Sequence, residues 1–212
     1  MKKAMIFDMD GTLWDSVDSI VVSWNAALQQ MGETDVTVTR PQIMSLMGNT
    51  MDVFARTLFP HYTPEKGAQW IDILGQIENE FLSRYGAVLL GDVKGVFARL
   101  REMGYGVYIV SNCQDGYIQT FLQVSGLGDC FVDFTCSGMT GLGKGSNIRL
   151  LMEKHQITRA VYVGDTQGDY NACQKAQVPF IHASYGMGTV EQPVPCINCF
   201  AELPAALERL VK

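Results

Sequence analysis

Four apolar residues, Ala4-Met5-Ile6-Phe7, run without interruption and stop at Asp8-Met9-Asp10-Gly11. Such a run, bounded by a turn signal, predicts a buried strand with the aspartates and Gly11 in the loop leaving its C-terminal end. After Leu13 the period changes. Val17, Ile20, Val21, Trp24, Ala27, Leu28 and Met31 recur at helical spacing, with Asp15 or Ser16 as the N-cap and Gly32 as the stop. Thr39-Arg40-Pro41 opens a second, short helix, Met47-Gly48-Asn49-Thr50 breaks the pattern, and a helical piece over 51–59 closes at Pro60. Thr63-Pro64-Glu65 starts another helix, on which Trp70, Ile73, Leu74, Ile77, Phe81 and Tyr85 predict one apolar face up to Gly86. Residues 15–87 thus read as all helix.

Beyond residue 87, strands and helices alternate. Helices are predicted over 94–103, 117–124, 170–176 and 205–211, and strands over 107–110, 132–135, 160–163 and 180–181. Residues 141–145 read as a flexible loop, with Ser146 or Asn147 capping a helix after it. The alternation predicts an α/β protein with a doubly wound, Rossmann-like parallel sheet and right-handed crossovers. The helical block interrupts it straight after the first strand, so it reads as an inserted all-α cap. The expected division is a core of residues 1–14 and 88–212 and a cap of residues 15–87, hinged near Trp14 and near residues 87–93.

Composition adds limits. The chain has 212 residues, 47% hydrophobic and 18% charged, which fits a folded globular protein. Net charge is −6 and lysine and arginine do not cluster, so no nucleic-acid partner is expected. No apolar run approaches the roughly 18 residues of a membrane span, and the apolar stretch after Lys2-Lys3 is too short for a signal peptide. Six cysteines without a compact framework read as reduced thiols, and the expected compartment is the cytoplasm.

Candidate chemistry collects where the predicted strands end. Ligands of open α/β sheets bind beyond the C-terminal strand ends. There lie Asp8 and Asp10, Ser111 and Asn112, and Asp165, with Lys144 in the loop after a fourth strand. Adjacent carboxylates repel unless a cation sits between them. A hard cation with oxygen ligands answers this, and Mg²⁺ is the usual one where phosphate is bound. Carboxylates, Mg²⁺ and a lysine together make a set suited to phosphoryl transfer.

With these residues in view, the chain resembles the haloacid dehalogenase-like hydrolase superfamily, in its phosphatase branch with a helical cap. Within it the likeness is to the phosphoglycolate phosphatase-like and phosphoglucomutase-like group. The motifs run in order: Asp8-Met9-Asp10-Gly11-Thr12, Ser111-Asn112, Lys144, and Gly164-Asp165-Thr166-Gln167-Gly168-Asp169. The resemblance implies that Asp8 is a nucleophile forming an aspartyl-phosphate, and that Asp10 is general acid and then general base. It implies Mg²⁺ on Asp8, the backbone carbonyl of Asp10, and Asp165. It implies phosphate held by Ser111, Lys144 and the backbone N–H of Asn112. Asp169 would support the metal's waters or orient Lys144, and it also fits an N-cap.

Three positions depart from the family pattern: Gly145 where proline commonly follows the lysine, no Pro-Gly near Gly91, and Gln177 where glycine is usual. The resemblance implies a phosphatase acting on a small phosphorylated metabolite. A sugar-phosphate phosphomutase and a non-catalytic phosphate-binding protein are the competitors. A dehalogenase is disfavoured because Asp10 is present. Phosphoglycolate, sugar phosphates, nucleotides and pyrophosphate remain open as substrates, as does the oligomeric state. Other signals read as structural: Cys196 and Cys199, Cys113, and the scattered His61, His155 and His182. Trp24, Trp70 and Phe81 read as cap core, while the 47–50 break reads equally as a specificity loop.

Overall fold

The computed structural model describes residues 2–33 and 35–210. Its first strand, β1 (Lys3–Phe7), is the centre of a six-stranded parallel sheet. Ala4 to Phe7 are wholly buried, because alternate side chains enter different cores. Met5 and Phe7 join the layer holding Phe97 and Phe200; Ala4 and Ile6 join that holding Tyr108 and Tyr162.

The remaining elements follow in the expected order. A two-residue strand β2 (Trp14–Asp15) leads to α1 (Val17–Gln30), α2 (Arg40–Leu46), α3 (Met51–Leu58) and α4 (Pro64–Tyr85). The chain returns through β3 (Val88–Leu89), α5 (Val93–Glu102), β4 (Tyr105–Ser111) and α6 (Tyr117–Ser125). Then come β5 (Asp133–Cys136), α7 (Ser137–Thr140), α8 (Lys144–Lys154), β6 (Arg159–Gly164) and α9 (Gln167–Ala176). The last are β7 (Phe180–Ala183), β8 (Cys196–Ile197) and α10 (Leu203–Leu210). Among the described residues no helix is long and apolar enough to cross a membrane.

Sheet order is β5-β4-β1-β6-β7-β8, and each of these neighbours pairs in parallel. The chain leaves β1 towards β4 and β5, then crosses back to β6 on the other side of β1. This reversal opens a crevice at the C-terminal ends of β1, β4 and β6, the place where such sheets bind ligands.

Helices α1 to α4 share an apolar cluster of their own, built on Ile20, Trp24, Ile43, Phe54, Ile71 and Leu74. This is the inserted all-α cap. The two crossings between cap and core pair with each other as a short antiparallel ribbon that short-range patterning did not reveal. Trp14 lies opposite Leu89 and Asp15 opposite Val88, and the Leu90 N–H donates to the Leu13 carbonyl at 2.9 Å. Trp14 anchors the ribbon edge-on against Tyr117 and Phe121.

Several expectations need correcting. The face of α4 is rotated: Ile71, Leu74, Glu78 and Leu82 are buried together with Gly67 and Gly75, while Ile73 and Tyr85 are exposed. Small residues, not the largest apolar ones, mark where this helix meets its neighbours. Lys144 is not in a loop but is the first residue of α8, capped by Gly143 rather than by Ser146 or Asn147. Gly145 does not loosen the segment. A Cβ there would lie 3.0 Å from the Ala172 carbonyl oxygen, so glycine lets α8 pack closely on α9. Helix α9 begins at Gln167, three residues before the predicted start, because Thr166 and Asp169 form a capping box. Asp169 is therefore the third residue of the helix and not its N-cap. The chain also gains α7 and β8, two to four residues long and too short to show a period.

Candidate active site

The turn after β1 is held by its own backbone. The Met9 carbonyl accepts from Thr12 and Leu13, and the Gly11 N–H donates to the Trp14 carbonyl. Gly11 is required twice over. Its φ is +77°, and a Cβ would lie 2.2 Å from Asp165 Oδ2. This close approach brings the loop after β6 against the loop after β1.

Asp8, Lys144, Asp165 and Asp169 meet there. Lys144 Nζ lies 2.9 Å from Asp8 Oδ1 and 2.5 Å from Asp169 Oδ1, and all three residues are buried. Burial opposes the charge on Lys144, but Asp169 and Asp8 outweigh it and hold the ammonium protonated. They also overcome the unfavourable placement of a cation at a helix N-terminus. Asp169 is fixed from its other side: Oδ2 accepts from the Thr166 N–H at 3.0 Å and the Thr166 hydroxyl at 2.7 Å.

Asp165 Oδ2 accepts from the Met187 and Gly188 N–H groups at 2.8 and 3.1 Å. Its Oδ1 is buried without a hydrogen-bond partner among the described residues. Carboxylate oxygens of Asp8, Asp165 and Asp169 lie within 4.8 Å of one another. Three carboxylates cluster around one ammonium that contacts two of them, all donors are oxygen, and one oxygen is orphaned. The arrangement fits a hard divalent cation. Burial, reinforced by Asp169, raises the Asp8 carboxyl to about 8 and the Asp165 carboxyl to about 7.

A stability prediction follows. When folded, both carboxyls keep a proton that the unfolded chain releases near an ordinary aspartate value of 3.8. Their contribution therefore favours folding at low pH and is lost as the pH rises through the folded values of about 7 and about 8. In EDTA, Tm is expected to fall from pH 5 to pH 8, and saturating Mg²⁺ should flatten the fall. A Tm that rises over this range in EDTA would contradict the picture.

Asp10 points the other way, towards the cap. Its Oδ1 accepts from the Ser16 hydroxyl at 2.5 Å and the Tyr117 hydroxyl at 2.7 Å, and the Tyr117 and Ser16 oxygens lie 2.8 Å apart. Burial raises the Asp10 carboxyl above its ordinary range, and these two donors offset part of that rise. Ser111, the last residue of β4, and Asn112 form the facing wall of the same cleft. The Asn112 side chain donates to the Gly48 carbonyl at 2.8 Å and accepts from Ser137 Oγ at 2.9 Å. It thus ties the core to the 47–50 break of the cap, whose Met47, Gly48 and Asn49 line the cleft.

All seven residues singled out in the sequence therefore converge at one end of the sheet. Sequence reasoning missed Ser16 and Tyr117 beside Asp10, the Met187 and Gly188 amides beneath Asp165, and Glu78. Glu78 lies in the cap wall of the cleft, 3% exposed, and accepts from Trp24 Nε1 at 2.9 Å. Burial, with Asp10 nearby, raises its carboxyl to about 8. An available signal was an acid on the stripe Ile71, Leu74, Leu82. Trp24 is cap core as expected, but it also lines the cleft. His182 Nε2 donates to the Asp165 backbone carbonyl at 3.1 Å, and His155 pairs with Asp133. Cys196 and Cys199 are exposed free thiols.

A doubly wound sheet carrying a buried carboxylate–lysine cluster beneath an inserted helical cap defines the class: a Rossmann-like α/β core with a helical cap over its ligand crevice. The model of the haloacid dehalogenase-like hydrolase family matches residues 5–183. The chain belongs to that family. A phosphoglycolate phosphatase of Vibrio vulnificus (strain CMCP6) is 30% identical over 198 residues, covering 87% of this chain and 84% of its own. Two solved structures share the fold. A predicted phosphatase from Clostridium acetobutylicum matches with TM-score 0.82 and 20% identity over 99% of both chains. CbbY from Rhodobacter sphaeroides, in complex with phosphate, matches with TM-score 0.78 and 19% identity, over 98% of this chain and 100% of that one.

Proposed function

We propose that this chain is a Mg²⁺-dependent phosphatase that hydrolyses a small phosphorylated metabolite through an aspartyl-phosphate, with chemistry of the phosphoglycolate phosphatase type. The observation that carries the reading is the buried Asp8–Lys144–Asp169 contact beside the orphaned Asp165 oxygen. The likeness to phosphoglycolate phosphatase supports it.

Asp8 is the nucleophile: its free carboxylate oxygen attacks phosphorus as the bond to the leaving oxygen breaks. Asp10 donates the proton that turns that oxygen into an alcohol. With Oδ1 taken by Ser16 and Tyr117, Oδ2 is left to carry the proton. Asp10 then takes a proton from the water that cleaves the acyl phosphate, so one group serves both halves. Lys144, Ser111 and the Asn112 backbone N–H hold the phosphoryl oxygens, and Asp169 orients Lys144. Asp8, Asp165 and the Asp10 carbonyl would hold Mg²⁺, which would supply charge neutralisation between an anionic nucleophile and an anionic phosphate.

We place residues 15–87 as a cap moving over the core of 1–14 and 88–212, with the β2–β3 ribbon as its hinge. The free state of all six cysteines agrees with a cytoplasmic setting. The test is phosphate release from p-nitrophenyl phosphate. Activity is expected with Mg²⁺ and is expected to vanish in EDTA. Equal rates in both, or no release by folded, Mg²⁺-loaded protein, would overturn the reading.

A further inference from the structure

Two thiols meet beside the phosphoryl site. Cys113 follows Ser111 and Asn112 on the loop after β4, is half-buried, and lines the cleft with Asp8 and Asp10. Cys136 ends β5, opposite Ser111 in the strand register, and is wholly buried. The two side chains hydrogen-bond to each other, and Cys136 Sγ donates onward to the Gln114 carbonyl at 3.6 Å. Both are free thiols, and no step of the proposed reaction uses them.

The backbone around them has little slack. The Gly138 N–H donates to the Cys113 carbonyl at 3.0 Å. A Cβ at Gly138 would lie 2.2 Å from the Asp115 nitrogen, so α7 and the 113–115 segment touch backbone to backbone. Cys113 is also tied to the site. Its N–H donates to Ser111 Oγ at 3.4 Å, and its neighbour Asn112 bridges Ser137 of α7 and Gly48 of the cap. A displacement of Cys113 therefore displaces the Ser111 and Asn112 donors.

We infer that Cys113 and Cys136 are a redox pair that peroxide converts to a disulfide, and that this bond switches the phosphoryl site off. Cys113 faces the cleft and takes the first oxygen: an S–O bond forms, the peroxide O–O bond breaks, and the thiol hydrogen leaves in water. The Cys136 sulfur then attacks Cys113. An S–S bond replaces the S–O bond, and the second thiol hydrogen leaves in a second water. Two thiols are oxidised and one peroxide is reduced to two waters. The hydrogen bond from Cys113 brings the Cys136 thiol below its ordinary range, which suits it to the attacking role. A covalent bond draws the sulfurs closer than a thiol hydrogen bond holds them. Cys136, on a buried strand, is the fixed partner, so Cys113 gives way and Ser111 and Asn112 move with it. The effect on activity rests on the phosphatase reading above, whereas the disulfide itself does not.

The test treats the Mg²⁺-loaded full chain with hydrogen peroxide, removes the peroxide, and follows p-nitrophenyl phosphate hydrolysis beside a mass-spectrometric map of the cysteine peptides. The map separates a Cys113–Cys136 link from one between the exposed Cys196 and Cys199. The expected result is a Cys113–Cys136 link with activity lowered by on the order of tenfold or more, because donors to the phosphoryl oxygens are displaced. Dithiothreitol should remove the link and restore the rate. Cys136→Ser is expected to keep its basal activity and to retain it through the same treatment. Absence of the link would overturn the inference, as would full activity in linked protein or an equal loss in folded Cys136→Ser. Should Cys136→Ser fail to fold, Cys113→Ser takes its place, with an equal fractional loss again counting against the pair. If untreated protein does not hydrolyse p-nitrophenyl phosphate, the phosphatase reading fails by itself. The peptide map then decides the pair, and calorimetric binding of inorganic phosphate before and after oxidation decides its effect on the site, with equal affinities counting against it.

Discussion

Asp8→Asn is expected to lower Mg²⁺-dependent phosphate release by on the order of 10⁴-fold or more, because it removes the nucleophile itself. The substitution is nearly isosteric. The asparagine carbonyl can take the place of Asp8 Oδ1 in front of Lys144 Nζ, now 2.9 Å away. It also deletes one of three clustered carboxylates, two of which contact the single ammonium. The protein should therefore not pay for the lost activity in stability. In EDTA at pH 8, Tm of Asp8→Asn is expected to equal or exceed that of the wild type. This pairing separates a lost nucleophile from a damaged fold. Residual turnover above about one part in a hundred would remove Asp8 from the nucleophile's role.

Lys144→Met is expected to damage both properties. Methionine nearly preserves the volume, so the result isolates the charge. Removing one partner of a buried ion pair leaves the others without compensation, at a cost of about 3–5 kcal/mol. Here Asp8 and Asp169 both lose their counter-charge. Part of the cost is avoided if the carboxyls take up protons, so urea denaturation in EDTA should show a larger loss at pH 8 than at pH 5. Mg²⁺ is expected to restore some stability by binding the folded cluster. It should not restore rate, because a preorganised donor to the phosphoryl oxygens is gone, with a cost of roughly 10²–10³-fold. A stability loss under about 1 kcal/mol at pH 8 would mean that Lys144 is not the cluster's principal counter-charge.

How far each feature could be read from the chain depended on how local its cause is. The strand at Ala4–Phe7 was legible because four wholly buried residues next to a carboxylate pair admit few alternatives. The start of α4 was legible because Thr63 and Pro64 supply a cap and a first-turn proline within two residues. The α4 face was misread, because apolar size was used as a guide to burial. Gly67 and Gly75 take part in that face through having no side chain, a reason visible only when Ala55 and Gln114 are seen against them. Glu78 escaped for the same cause, since one acid on a helix carries no local sign of its surroundings.

The order of elements, the doubly wound sheet, the inserted helices and the seven residues at the strand ends were determined by the sequence alone. Each follows from short-range periodicity, or from a motif whose parts share one strand end. Tertiary structure alone decided that Lys144 starts a helix packed through Gly145, and that Ser16 and Tyr117 hold Asp10. It also decided that two backbone amides from a distant loop hold Asp165, and that a buried acid, Glu78, stands in the cap wall of the cleft. Those contacts join residues as far as 107 positions apart. Their energies come from burial and charge shared across elements, which no window of neighbouring residues contains.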